Sequence, residues 1–98
     1  MENNEGITVE AIGFDLVPSE MGHINRLIND LFQLCPIDSL INLKFSKEDE
    51  GFTGLIEVQS SIKSFAADGT GSDIQSLYRM LDQQIQDQLM VWKKDRFK

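Results

Sequence analysis

The chain has 98 residues, 41% of them hydrophobic and 26% charged, which fits one compact domain and excludes wholesale disorder. Its net charge of -7 and pI near 4.5 argue against a generic polyanion binder, because phosphate binding needs clustered Lys and Arg. The charge is uneven: residues 1–92 hold 5 basic and 15 acidic side chains, a balance of -10, and residues 93–98 hold 4 basic and 1 acidic, a balance of +3.

In chain order, residues 1–6 are expected to be a flexible N-terminus, too polar and acidic for a signal peptide. From Ile7 to Leu16 the chain begins as a strand, with Ile7, Val9 and Ala11 alternating with Thr8 and Glu10, and Gly13 marks a bend. Pro18-Ser19-Glu20 predicts a helix start with Ser19 as N-cap and Glu20 at the positive end of the helix dipole. Met21, Ile24, Ile28, Leu31 and Cys35 then recur at spacings of three and four, with Leu27 and Leu34 widening the stripe. Gly22 weakens the first turn of this amphipathic helix and Pro36 ends it.

Ser39 to Ser46 is a second strand, with Ile41, Leu43 and Phe45 on one face. Lys47 to Gly51 is a charged turn. Phe52 to Ser60 is a third strand, with Gly54, Ile56 and Val58 facing inward. After a short connection at residues 59–61, Ile62 to Ala67 is expected as the fourth strand and Asp68-Gly69-Thr70-Gly71 as a loop. The short links favour an antiparallel meander for strands two to four. Ser72-x-x-Gln75 has the form of a capping box. Ile74, Leu77, Tyr78, Leu81, Ile85, Leu89 and Trp92 follow at helical spacing and predict a helix to about Phe97. The resulting order is β-α-β-β-β-α. Its simplest packing is an α+β two-layer sandwich, a four-stranded sheet with both helices on one face.

Residue chemistry points to a binding module and away from an enzyme, with no catalytic residues, metal ligands, cofactor or small-molecule substrate. Cys35 is the only cysteine, which excludes an intrachain disulfide and favours a small buried residue in a reducing compartment. His23 falls opposite the apolar stripe with Arg26 and Asp30, as on a solvated helix face. One His and one Cys do not make a structural zinc site. The glycines at 69 and 71 precede a helix but lack the lysine of a P-loop. Glu48-Asp49-Glu50 fits a solvated hairpin tip. No apolar run approaches the roughly 18 residues of a membrane span. A cytoplasmic protein is the expectation.

A family resemblance rests on residues 71–97. Gly71-Ser72-Asp73-Ile74 is similar to the Gly-x-Asp-Met opening of the last helix in the ribosome hibernation-promoting and ribosome-associated inhibitor family. Tyr78, Leu81, Ile85, Leu89 and Trp92 fall where that helix keeps apolar residues, and Gln88-Leu89 with Trp92-Lys93 resembles its Gln-Leu-x-x-Tyr-Lys ending. Gly13 through Glu20 is similar to the family's Gly-x-x-Val-x-x-Thr-Glu link between first strand and first helix. The resemblance implies that residues 7–98 form a single hibernation-factor-like domain. It further implies noncatalytic binding to the small ribosomal subunit in the channel of transfer and messenger RNA, with translation modulated under stress. Exposed Lys and Arg on the two helices would contact ribosomal RNA; here they are Arg79, Lys93, Lys94 and Arg96, with Arg26 a further candidate.

The middle of the last helix departs from that pattern, reading Gln83, Gln84, Gln86, Asp87 and Met90 in place of basic residues. This motivates an alternative: a protein–protein interaction module on the same fold that has lost RNA binding. Met90, Val91 and Phe97 would form its patch, for a partner protein or a second copy. Met80 also lies off the main stripe. A double-stranded-RNA-binding domain, which also ends in three strands and a helix, fits less well because of the extra first strand and the missing basic helix start.

Overall fold

Pairing begins where the first alternating segment meets the second. In a computed structural model, which describes residues 6–96 and leaves the Arg96 side chain aside, β1 (Ile7–Ile12) lies parallel to β2 (Leu40–Glu48), with Ile7 opposite Ile41 and Ile12 opposite Ser46. β3 (Gly51–Gln59) runs antiparallel to β2 and β4 (Phe65–Gly71) antiparallel to β3, so the sheet order is β1-β2-β3-β4. Helix α1 (Pro18–Leu34) makes the parallel crossover, and α2 (Ile74–Arg96) follows β4. The α+β two-layer arrangement expected from the sequence is the one observed.

The core follows the expected periodicities. Ile24, Ile28 and Leu31 come from α1; Ile41, Leu43 and Phe45 from β2; Ile56 and Val58 from β3; Phe65 and Ala67 from β4. Ile74, Leu77, Tyr78, Leu81, Ile85, Leu89 and Trp92 come from α2, so the whole stripe of that helix is buried. Phe65 meets Trp92 edge-on with ring centroids 6.1 Å apart. At the far end of the sheet Phe14 packs on Phe52, and the Lys47 ammonium lies 4.7 Å from the Phe52 ring centre.

β2 runs two residues past Ser46 and β3 begins one residue before Phe52, and four further differences from expectation have a local cause. β1 stops at Ile12, because Gly13 turns the chain with φ of 84°, a conformation that favours glycine. The N-cap of α1 is Val17, and Ser19 lies inside the first turn. Pro18 decides this: it suits the first helical position and holds the residue before it extended. The Glu20 carboxylate accepts a hydrogen bond from the Val17 N–H at 3.4 Å. The cap of α2 is Asp73, not Ser72: its carboxylate accepts from the Ser76 N–H at 2.8 Å and from the Ser76 hydroxyl at 3.2 Å. A charged acceptor at the helix dipole serves better than a hydroxyl one residue too early.

The fourth difference is β4. The expected strand at Ile62 is a turn held by Ser60, whose hydroxyl oxygen accepts from the Lys63 N–H at 2.9 Å, and Ile62 is 58% exposed. The expected loop at residues 68–71 is the second half of the strand. Gly69 pairs with Gly54 across β3 and β4, directly under α2. A Cβ on Gly54 would come within 2.9 Å of Leu81 Cδ1, and one on Gly69 would collide with the Met80 methyl. The glycines are there for close helix packing, not for a turn.

Candidate functional site

The exposed surface of the two helices carries the expected basic residues, but they do not form one patch. Arg26 is exposed on α1, and Arg79, Lys93 and Lys94 on α2. Arg96 lies in the last turn of α2. Arg79 and Lys93 share a face, within about 40° of each other, yet stand about 21 Å apart along the helix. Between them that face carries Asp82, Gln83, Gln86 and Met90. Lys93 reaches Cys35, at the end of α1, closely enough for its charge to act on the thiol. The C-terminal ends of both helices therefore meet near Lys93, where the helix dipoles are negative.

The seam between the helices is acidic. Asp30 of α1 lies within charge reach of both Asp82 and Tyr78 of α2. Burial pushes the Asp82 carboxyl above its ordinary value; the Asp30 charge adds to the rise and a hydrogen bond from Gln86 opposes it. Tyr78 is fully buried, and its hydroxyl has no hydrogen-bond partner. Burial raises that hydroxyl's pKa first, then the charges of Asp82, Cys35 and Asp30. Asp82 Oδ1 and His23 Nε2 are likewise buried and unpartnered. His23 thus departs from the expected solvated face: it is half-buried, with its ring nitrogen shielded.

Cys35 caps the C-terminus of α1, and its thiol donates to the Leu31 carbonyl at 3.3 Å. Burial pushes the thiol up to about 11, with Lys93 lowering it in part. At neutral pH it is a thiol and a poor nucleophile.

The glutamines of α2 have a structural task that the sequence reading missed. β4 is an edge strand, and the Gln88 side-chain amide donates to the Ala66 carbonyl at 2.7 Å. Gln84 reaches the Asp68 carbonyl at 3.4 Å. With the Met80 methyl over Gly69, positions 80, 84 and 88 form a ladder along the free edge of β4. Unpaired edge carbonyls invite pairing with another chain, and the ladder covers them. The signal was the i, i+4 spacing, legible only once β4 is placed at residues 65–71.

Two members of the expected interaction patch are exposed and its third is not described. Met90 is 65% and Val91 59% exposed, whereas Trp92 between the helix and β4 is 9% exposed. Val91 borders a groove of about 420 Å³ with Lys63, Phe65, Trp92 and Asp95. Phe97 lies outside the described residues. Among the described residues no three His, Cys, Asp or Glu side chains gather as a metal site would require, and no helix is long and apolar enough to cross a membrane.

No protein-family model and no curated protein matches the sequence. Solved structures do match. A ribosomal subunit interface protein from Coxiella burnetii superposes with a TM-score of 0.72 at 16% identity, over 90% of this chain and 97% of that one. The N-terminal domain of Protein Y from Thermus thermophilus superposes with a TM-score of 0.73 at 9% identity, over 93% of this chain and 96% of that one. The chain has the hibernation-factor fold.

Within this fold the motifs that carried the resemblance have physical meanings. Gly71 ends β4 against Leu77, Asp73 caps α2, and Ile74 is buried. Tyr78, Leu81, Ile85, Leu89 and Trp92 are all core residues. The likeness to the hibernation-factor fold is thus written in positions that pack or cap. The exposed positions of the helices are a separate matter, because function lives in the site.

Proposed function

We propose that the chain is a noncatalytic ribosome-associated protein that binds the small subunit and modulates translation under stress. The observation that carries this reading is the fold, matched over 90% of the chain to a protein of the ribosomal subunit interface. In this reading Lys93, Lys94 and Arg96 contact RNA phosphates at the C-terminal end of α2, with Arg79 and Arg26 as outlying contacts. Binding acts by steric blockade, in the cytoplasm, without cofactor or covalent step. Sedimentation with purified small subunits tests it. The expected result is cosedimentation at low salt that weakens as salt rises and is lost in a Lys93→Glu/Lys94→Glu/Arg96→Glu variant. Absence of cosedimentation at every salt concentration refutes it.

A second reading, a protein–protein interaction module on the same fold, is favoured by the exposure of Met90 and Val91 side by side. Light scattering of the native chain and a Met90→Lys variant tests self-association through this patch. Equal, monomeric masses for both would remove it.

A further inference from the structure

The two edges of the sheet are not alike. On β4 the Gln84 and Gln88 amides cover edge carbonyls. On β1, the other edge, no hydrogen bond from a described side chain does so. β1 also lacks the usual protections of an edge: it holds no Pro or Lys, and it pairs with β2 in unbroken register from Ile7 to Ile12, without a bulge. The Ile41 N–H donates to the Gly6 carbonyl at 2.6 Å, which fixes the polarity of the strand. The backbone groups of Thr8, Glu10 and Ile12 therefore face β2, and those of Ile7, Val9 and Ala11 face outward. Among the described residues nothing pairs with these outward groups. The side chains of Ile7, Val9 and Ala11 are half-buried on the helix side, and Thr8 and Glu10 stand exposed on the open face.

We propose that the β1 edge pairs antiparallel with β1 of a second copy of this chain, about a two-fold axis at Val9, to make one continuous sheet. The register follows from the chemistry. With Val9 opposite Val9, Ile7 meets Ala11, and every outward N–H and C=O of Ile7, Val9 and Ala11 finds a partner. Thr8 then faces Glu10 of the second copy, hydroxyl against carboxylate, at a closely spaced position on the open face. Centring on Glu10 would set like charges against each other, and centring on Thr8 would carry Ala11 past the start of β1. The helix layer suits the same contact. A Cβ on Gly6 would come within 3.1 Å of the Phe32 ring, so the Phe32 flank of α1 lies over β1. Gly22, Asn25 and Asn29 share that flank by helical spacing and none is charged, whereas Glu20 and Asp30 lie away from it. In a chain of net charge -7, two copies can therefore approach here without acid meeting acid. The surface uses neither the basic end of α2 nor Met90, so the inference stands apart from both readings of function.

Sedimentation equilibrium of the full chain across the micromolar range tests this, with amide hydrogen exchange read residue by residue. A monomer–dimer equilibrium is expected. The amides of Ile7, Val9 and Ala11 should gain about tenfold or more in protection as concentration rises, while those of Thr8 and Glu10, already bonded to β2, stay protected throughout. Thr8→Lys, at an exposed position, should tighten the dimer by about fivefold, because it sets a cation opposite Glu10 in two symmetric pairs; Thr8→Glu should weaken it by about as much. Val9→Pro removes an outward N–H and no bond to β2, so the fold, checked by circular dichroism, should stay and the dimer be lost. If that variant does not fold, the two Thr8 variants decide. Met90→Lys should leave the mass unchanged. A monomer throughout, a dimer whose Ile7, Val9 and Ala11 amides exchange freely, Thr8 variants without these opposite effects, or a dimer abolished by Met90→Lys would each overturn the proposal.

Discussion

Replacing Tyr78 by Phe removes one oxygen from the fully buried core and nothing else. In most proteins that change costs stability, because a buried tyrosine hydroxyl is hydrogen-bonded. Here the hydroxyl has no partner, so the free protein carries its desolvation cost uncompensated. An unsatisfied buried hydroxyl costs about 1–3 kcal/mol. The space left by the oxygen forfeits some packing, a small fraction of what a lost methylene costs. The net expectation is stabilisation by about 1 kcal/mol, which for a domain of this size raises Tm by about 4–8 °C. Urea denaturation followed by circular dichroism at neutral pH, with thermal unfolding beside it, measures both. The slope of free energy against urea should not change, since the surface exposed on unfolding does not. A Phe variant less stable than the native chain by about 0.5 kcal/mol or more would refute the reasoning. A double-mutant cycle with Asp82→Asn adds a second check: coupling above about 1 kcal/mol would mean the hydroxyl donates to that carboxylate in the free protein.

Asp82 makes a pH prediction with a definite sign. Its folded pKa is raised by burial, so between its ordinary value and the raised one the native state holds more proton than the unfolded state. Stability from this group therefore falls as pH rises through that window and stays low above it; Asp82→Asn should stabilise the chain at neutral pH and flatten the acid limb of the stability profile. Gly54→Ala should destabilise by about 1–3 kcal/mol in the same urea assay, because its Cβ meets Leu81 Cδ1 in a filled core; a neutral result would mean α2 lifts freely off the sheet. Cys35 should react with a thiol reagent at pH 7.5 more slowly than free cysteine and accelerate only as pH approaches 11; fast modification at neutral pH would show that the end of α1 opens.

The fold was legible in this sequence wherever one face of an element is buried. The period-two strands at Ile41–Phe45 and Gly54–Val58 and the stripe from Ile74 to Trp92 appear in the structure as expected. What was not legible depended on contacts between distant residues. Gly69 and Gly71 look like loop punctuation until α2 lies over them, and this displaced β4 by three to four residues. Ser19 looks like a cap until Pro18 takes the first helical position. The site was less legible than the fold. Arg26, Arg79, Lys93 and Lys94 are exposed on the helices, but Asp30 and Asp82 are far apart in sequence, and only the packing of α1 against α2 brings their charges within reach of each other.

That packing also bounds how much of any ribosome affinity RNA contact can supply. Lys93 sits where two negative helix ends converge, so it spends part of its charge on the protein itself. Five bases, Arg26, Arg79, Lys93, Lys94 and Arg96, are the most that the helices offer, and Arg79 stands about 21 Å from Lys93. With each phosphate contact contributing a little under one unit, the slope of log K against log salt for a short RNA duplex should be no steeper than about -4.5. Lys93→Glu should flatten it by about one unit. A steeper slope would mean that bases outside the helices, such as Lys44 on the open sheet face, carry RNA contact. A slope within the bound, together with tight binding to the whole subunit, would require a contribution that phosphate contacts do not make.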